Sequence, residues 1–592
     1  MSRTPVPATS SVPHRLGRLT ATERRIWQAF PHGDPVDLRT GDPDADRPAA
    51  AEHWAPERSV RGEVIAALLL GACPQAAGAV AALRVAGARI TGPLRLDHGQ
   101  VSCALQLRGC RFDGPIDLDG AVTGSVDLGG SRLTTLSAYG AQIRGTLDLR
   151  DTVVTGGTAP DGGTAASEDA AAGGGADRAV HADAIVVDGS LHANRARITG
   201  PFNLINARIG GRLTLIDSEL VNRAPGGTAL NGGGMQIGRS LFAQRISVVG
   251  EFRIPGAQIG SSLLLTGARL DGRGGTALHG DSLRVASDAS LRPAQLPGQR
   301  EPRPFTAIGT VRLPGARFAG ELDLGGAHLT PTPGQPALHA SRLTVDGILR
   351  LDDGLRTDGE IRLTGARIGG HLDLAGMASP DARLTLYAAN AAGGVRDDPD
   401  SWPGRLNLDG FTYGPFSDYV GAAGRLRVLA RQTSREDHDR IGAFRAQPYE
   451  QLASYYRSLG NDGEARTVLL ARQRALRATF PWWRRIPGRL LDLLVGYGYR
   501  PARAFGWAAG LLLASSAYFS RVRPQHVASD DTSEFNPVLY AADHLIPVVR
   551  FGQSEAWQYH GVPAVVTVVL TLLGWTLGIA IAAAATRTFN RN

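Results

Sequence analysis

Apolar pairs one residue apart recur at a nearly fixed interval, and that recurrence restricts the fold more than any other feature of the chain. Leu94/Leu96, Leu105/Leu107, Ile116/Leu118, Val126/Leu128 and Leu147/Leu149 start 11, 11, 10 and 21 residues apart, with Leu136 inside the double step. Alternation with period two marks short strands with one buried face. Small residues separate the pairs, as in Gly87-Ala88-Arg89-Ile90, Gly120-Ala121-Val122 and Gly140-Ala141-Gln142-Ile143. They suit tight corners with close backbone approach. Two segments make a coil of about 20–22 residues, and such coils stack as a solenoid rather than a sandwich.

A longer period lies over the short one. AVHADAIVV from Ala179, ALNGGGMQI from Ala229, ALHGDSLRV from Ala277 and ALHASRLTV from Ala337 align, at spacings of 50, 48 and 60. Each unit is about two coils plus one protruding loop, and such loops usually share one face of a solenoid. The loops at 155–178, 221–234, 271–276 and 330–336 form the expected partner face. Much of the 75-glycine content is thereby assigned to corners and loops of one repeat array at 83–412 rather than to separate domains.

A solenoid needs capped ends. Residues 1–82 read as an N-terminal tail and helical cap, with a helix over 59–72, Ser59 as its N-cap and Val60, Val64 and Leu68 on one face. Residues 1–20 hold no apolar run of signal-peptide length. Past 440 the period turns helical. Leu452, Tyr455, Tyr456 and Leu459 share one side of a first helix stopped by Gly460, and Ala465, Val468, Leu469 and Leu476 mark a second. This hairpin at 440–480 serves as a stalk or cap, or as a partner-binding surface.

Residues 481–592 read as a membrane region. Spans are expected at about 499–519 and 562–586, the second without a charge. Trp482, Trp483, Arg484, Arg485, Arg489, Arg500 and Arg503 precede the first span as an interfacial anchor, aromatics at the headgroups and arginines toward anionic lipid. Positive charge is heavy before the first span, whereas the loop at 520–561 carries three Arg and five acids. The positive-inside rule therefore puts both termini and the solenoid in the cytoplasm. Within the loop an apolar helix is expected over 536–551, begun by Asn536-Pro537 and carrying Asp543 and His544. It packs on the spans or forms a pore loop, as in two-transmembrane channels.

The charge arithmetic agrees with a membrane foot. Arginines and acids number nine and nine over 1–83, 33 and 33 over 84–409, and 21 and 13 over 410–592, so the net +8 arises after residue 409. The balanced solenoid offers no basic stripe for nucleic acid and no acidic surface for mimicking it. All 63 basic residues are Arg, which removes P-loop, kinase and Schiff-base lysine chemistry.

No catalytic, cofactor-binding or metal-binding residues are assigned. Gly496-Tyr497-Gly498 lacks the rest of a dinucleotide fingerprint and precedes the first span. Cys73, Cys103 and Cys110 form no CxxC, and the last two read as buried small side chains. His181, His279 and His339 take one place in the long repeat, with Asn231 in the fourth copy. Copies two coils apart lie near 10 Å at about 4.8 Å per coil, too far for shared ligation. They are expected to be satisfied polar corner residues.

Runs such as Ala88-Arg89-Ile90-Thr91-Gly92 followed by Pro93-Leu94-Arg95-Leu96-Asp97 resemble the pentapeptide-repeat proteins. That resemblance implies a right-handed parallel β-helix of quadrilateral section over about 83–410, in degenerate form. With QPYEQLA and LGNDGEAR, LLVGYGYRPARAFGW and DHLIPVVRFGQ, the chain also resembles a group of actinobacterial membrane proteins often labelled membrane-associated oxidoreductases. The resemblance implies that label; the residues show no cofactor motif for it. The expected fold is mainly β, a parallel solenoid with helical caps and a two-helix transmembrane region. The expected role is a membrane-anchored scaffold that meets the lipid bilayer and a protein partner or a second copy. An oligomeric channel using 535–552 and an oxidoreductase are the alternatives.

Overall fold

The computed structural model describes residues 13–156, 179–432, 444–478, 502–522, 524–527, 534–546 and 549–589. The chain divides into two units, Met1–Tyr419 and Val420–Asn592.

The first unit is a parallel β-solenoid of about 13 turns. Each turn has four strand positions, hence four faces. The first two faces belong to one 22-stranded sheet, fused where the strands Arg269–His279 and Thr306–Arg312 run across both. The third face is a 13-stranded sheet and the fourth a 14-stranded sheet. Most strands are two or three residues long, so one side chain points in and its neighbour out.

The buried interior is built from ladders. On the second face Leu94, Ile116, Leu136, Val180, Phe202, Leu230, Phe252, Leu278, Val311, Leu338, Ile361, Leu384 and Leu406 stack in register. None is more than 1% exposed. Burial of each such side chain stabilises by about 1.5–3 kcal/mol, so the one-face alternation selects this register over any single-residue slip. The long repeat is two turns, as its spacing implies: Val180, Leu230, Leu278 and Leu338 are alternate members of this ladder.

Corners explain the glycine spacing. Between the second and third faces the chain turns through a left-handed residue, φ 52–57° at His98, Ala184, Asn206, Ser282, Arg342 and Ala388, with glycine in most other turns. A like column between the fourth and first faces includes Asp151, Arg195, Asp217 and Arg245. There, Arg195 pairs bidentately with Asp151 (2.6 and 2.7 Å) and Arg245 with Asp217 (2.6 Å each) across neighbouring turns.

The N-terminal end corrects the expected cap. Ser59–Arg61 is a strand paired with Arg89–Thr91, and helix α2 (Gly62–Ala67) begins after Arg61 rather than at Ser59. The alternating Ser59-Val60-Arg61 places Val60 in the core, at 1% exposure. Helix α1 (Ala21–Ala29) and the strand Val36–Asp37, which opens the fourth face, complete the cap. Thr20 and Glu23 close a capping box on α1, and the buried Glu23 carboxylate also accepts from Arg61 Nε at 2.8 Å. This carboxylate therefore ties α1 to the first strand.

In the second unit, α3 (Ala422–Leu429) meets the antiparallel pair α4 (Gln447–Ser458) and α5 (Asp462–Ala478). Leu452, Tyr456, Ala465, Val468 and Leu469 are buried, as the predicted hairpin expects, whereas Leu459 is exposed and Leu476 only half-buried. Glu464 accepts from the Ala422 amide at 2.6 Å and holds the start of α3. Further along are α6 (Ala502–Phe519), α7 (Pro537–Leu545), α8 (Gln553–Ala556) and α9 (Val562–Phe589). Among the described residues one helix segment, Val562–Ile579, is long and apolar enough to cross a membrane. The apolar run of α6, Phe505–Phe519, is shorter than that.

Candidate functional site: the insertion corner

The junction of the first and second faces alternates between two constructions. In every second turn from Val154 to Leu338 it carries an insertion: between Val154 and Val180, at 222–227, at 272–275 and at 331–337. Of the first insertion, residues 157–178 lie outside the described residues. The other three project from one corner about 10 Å apart, two rungs at about 4.8 Å each. Their tips, including Arg223, Arg273, Gly274 and Gln335, are exposed. The expected loop at 221–234 is shorter than its sequence suggested, because Thr228–Asn231 is already the next strand, and the one expected at 271–276 is a bulge inside the continuous strand Arg269–His279, where the register shifts between Asp271 and Thr276.

Intervening turns pass this corner through glycine at an unusual backbone angle, φ +107° at Gly200, +112° at Gly250 and +117° at Gly309. This region is essentially restricted to glycine. The absent side chain also makes room for the loop of the preceding turn. A Cβ on Gly250 would lie 2.7 Å from the Gly227 carbonyl oxygen and 3.1 Å from that of Asn222. One on Gly359 would lie 2.6 Å from Pro331 Cγ. Each described loop is thus braced by the turn that follows it. Local bonds shape the loops as well: Asn222 Nδ2 donates to the Thr228 carbonyl at 2.9 Å, and the Arg273 amide donates to Asp271 Oδ1 at 2.9 Å.

The repeated histidines have structural partners or sit half-buried on the second face. His279 lies 2.9 Å from Glu251 and 3.3 Å from Asp281. His181 lies 3.2 Å from Asp183 and stacks on Tyr139. Burial holds the pKa of His339 below its ordinary value, with Arg362 and Arg312 adding to the effect. Among the described residues no group of three or more His, Cys, Asp or Glu could hold a metal ion. Cys110 is fully buried and its thiol is pushed up to about 12 by burial.

In the second unit Asn536 caps α7 as its position before Pro537 predicts, accepting from the Val538 and Leu539 amides. The helix stops at Leu545 rather than continuing to 551. Asp543 accepts from the amides of Phe551 and of Ser554, the latter at 2.9 Å. Its carboxylate therefore fastens the chain after the helix. His544 Nδ1 lies 3.2 Å from the Thr571 hydroxyl on α9. Phe519, Tyr540 and Tyr559 form an aromatic cluster joining α6, α7 and the approach to α9, with ring centroids 5.1–5.4 Å apart. Of the anchor residues, Trp482, Trp483, Arg484, Arg485, Arg489 and Arg500 lie outside the described residues; Arg503 falls in the first turn of α6.

No protein family, curated protein or solved structure matches this chain.

Proposed function

We propose that this protein is a membrane-anchored scaffold whose solenoid presents the insertion corner to a protein partner on the cytoplasmic side. The observation that carries the reading is the repeated construction of that corner: described loops in alternate turns, each followed by a glycine that leaves room for it. A solenoid needs no insertions to be stable. Three braced loops in line form an extended surface whose sequence varies independently of the core ladders.

Support for anchoring comes from α9. Val562, Val565, Val568, Val569, Leu572, Trp575 and Ile579 are all exposed, and only 17% of the Val562–Ile579 window is buried. A patch of that composition in water would drive association, whereas a bilayer covers it. The arginine-rich approach to α6 and the positive-inside rule supply the orientation.

Photo-crosslinking in intact cells tests the partner face. A photoreactive residue replaces Arg223, Arg273 or Gln335 in turn, with Arg197 on the first face as control. The reading expects a discrete crosslinked partner chain from the loop positions and little from Arg197. Equal yields, or no crosslinked chain from any loop, would overturn it.

A further inference from the structure

The third face carries a second surface, made of arginines that the solenoid leaves unpaired. Its outward residues over seven successive rungs are Arg208, Gln236, Gln258, Arg284, Arg317, Thr344 and Arg367. All but Thr344 are exposed. None of the four arginines has an ion pair or a side-chain hydrogen bond among the described residues. Many arginines elsewhere are paired: Arg89, Arg108, Arg150, Arg195, Arg245, Arg312, Arg350, Arg362 and Arg396 all have carboxylate partners, whereas Arg95 on the second face and Arg269 on the first have none among the described residues.

Two more observations make this column a surface rather than scattered charge. Arg284 and Arg317 are direct cross-strand partners. Like charges in that relation destabilise a sheet, and an anion between them removes the penalty. Alongside the column the residues that follow the inward side chain are Gly210, Gly238, Gly260, Ala286 and Ala319. With no bulky side chain on that strip, an open groove of about 740 Å³ runs beside the arginines, lined by both columns and by Asp346 at its far end. In the order of faces it adjoins the corner diagonally opposite the insertions.

We infer that this groove binds an extended acidic peptide segment of a partner protein, lying along the solenoid axis. Arginine pairs with carboxylates bidentately, and the amides of Gln236 and Gln258 can both donate to and accept from a peptide backbone. Along the groove, Arg208 to Thr344 spans five rungs, about 24 Å, which an extended peptide covers with about seven residues. No aromatic side chain stands in the column, so a single-stranded nucleic acid finds no stacking platform. The inference is independent of the insertion corner and of membrane anchoring.

Fluorescence anisotropy on the full-length protein in detergent tests it, with a labelled ten-residue peptide of alternating Glu and Ser as probe. Saturable, salt-sensitive binding is expected, weakened about tenfold in the double variant Arg284→Gln/Arg317→Gln. The control double variant Arg95→Gln/Arg269→Gln, with the same charge change on other faces, should bind as the parent does. Circular dichroism establishes that both variants are folded. Absence of binding, equal weakening in the two double variants, or equally tight binding of a Gln-Ser peptide or a ten-residue oligothymidine would overturn the proposal.

Discussion

Asp352 offers a sharp test of the electrostatics, because it is buried where a carboxylate is badly placed. Its residue is 4% exposed, and its Oδ1 has no hydrogen-bond partner among the described residues. The Oδ2 lies 3.6 Å from Arg350 Nη1, which sits closer, at 3.3 Å, to the fully buried Asp373. Burial, then the charges of Asp373, Asp353 and Asp323, raises the Asp352 pKa from 3.8 to about 6. A rise of that size corresponds to about 3 kcal/mol between protonation states. Because the folded value is the higher one, this favourable contribution is complete below about pH 4 and is lost as pH rises through about 6. The variant Asp352→Asn keeps the shape and removes the charge. Solenoid turns open locally, so the assay is amide hydrogen exchange, corrected for intrinsic rate, on peptides covering 349–376. Protection there should fall between pH 5 and 7.5 in the parent. In Asp352→Asn it should stay nearly flat and be the greater at pH 7.5. Parallel pH profiles, or weaker protection of the variant at pH 7.5, would show that the Asp352 charge does not destabilise its turn.

Three further outcomes are expected. Burial opposes ionisation of Glu23, but the Arg61 guanidinium and the Thr20 and Arg61 amides outweigh it, so its pKa is lowered. Its contribution is present above the ordinary carboxylate range and lost as pH falls; Glu23→Gln should cost the cap about 2 kcal/mol near neutrality, read as faster exchange of α1 amides. Gly250→Ala combines a side chain at φ +112° with a clash on Gly227, and should loosen the 222–227 loop and destabilise its turn by about 2 kcal/mol, measured by exchange and by proteolysis at Arg223. Cys110, fully buried with its thiol pushed up to about 12, should resist alkylation in the folded protein and react once it is denatured, as mass spectrometry would show.

The solenoid was largely readable from residue order because each inward ladder is written as period-two alternation at a coil-length interval. Leu94 to Leu149 announce it, and the long repeat locates alternate turns from Val180 to Leu338. Strand length limits what such reading can see. Ser59-Val60-Arg61 contains one apolar residue, too little to separate a strand from the start of a helix. Val36–Asp37 is recognisable only by the neighbour it pairs with. Glycine spacing announced corners without showing that Gly250 and Gly309 brace loops of the turns before them.

Charge shows the same limit differently. Equal totals of Arg and acid over 84–409 predict no basic stripe. Yet Arg208, Arg284, Arg317 and Arg367 share the third face, while many acids pair with arginines on other faces and corners. Whether a charge is paired depends on register, which a count does not contain. Likewise Asp543, a candidate pore residue by its place in an apolar loop, is used by backbone amides eight and eleven residues further on.

Membrane flotation distinguishes a chain anchored in the bilayer from one that merely adheres to it. Vesicles from cells producing the full-length chain are washed with high salt and then with alkaline carbonate before centrifugation through a density gradient. The full-length chain should float with lipid after both washes, while a chain ending at Tyr419 should stay in the soluble fraction. Release of the full-length chain by the alkaline wash would contradict membrane anchoring.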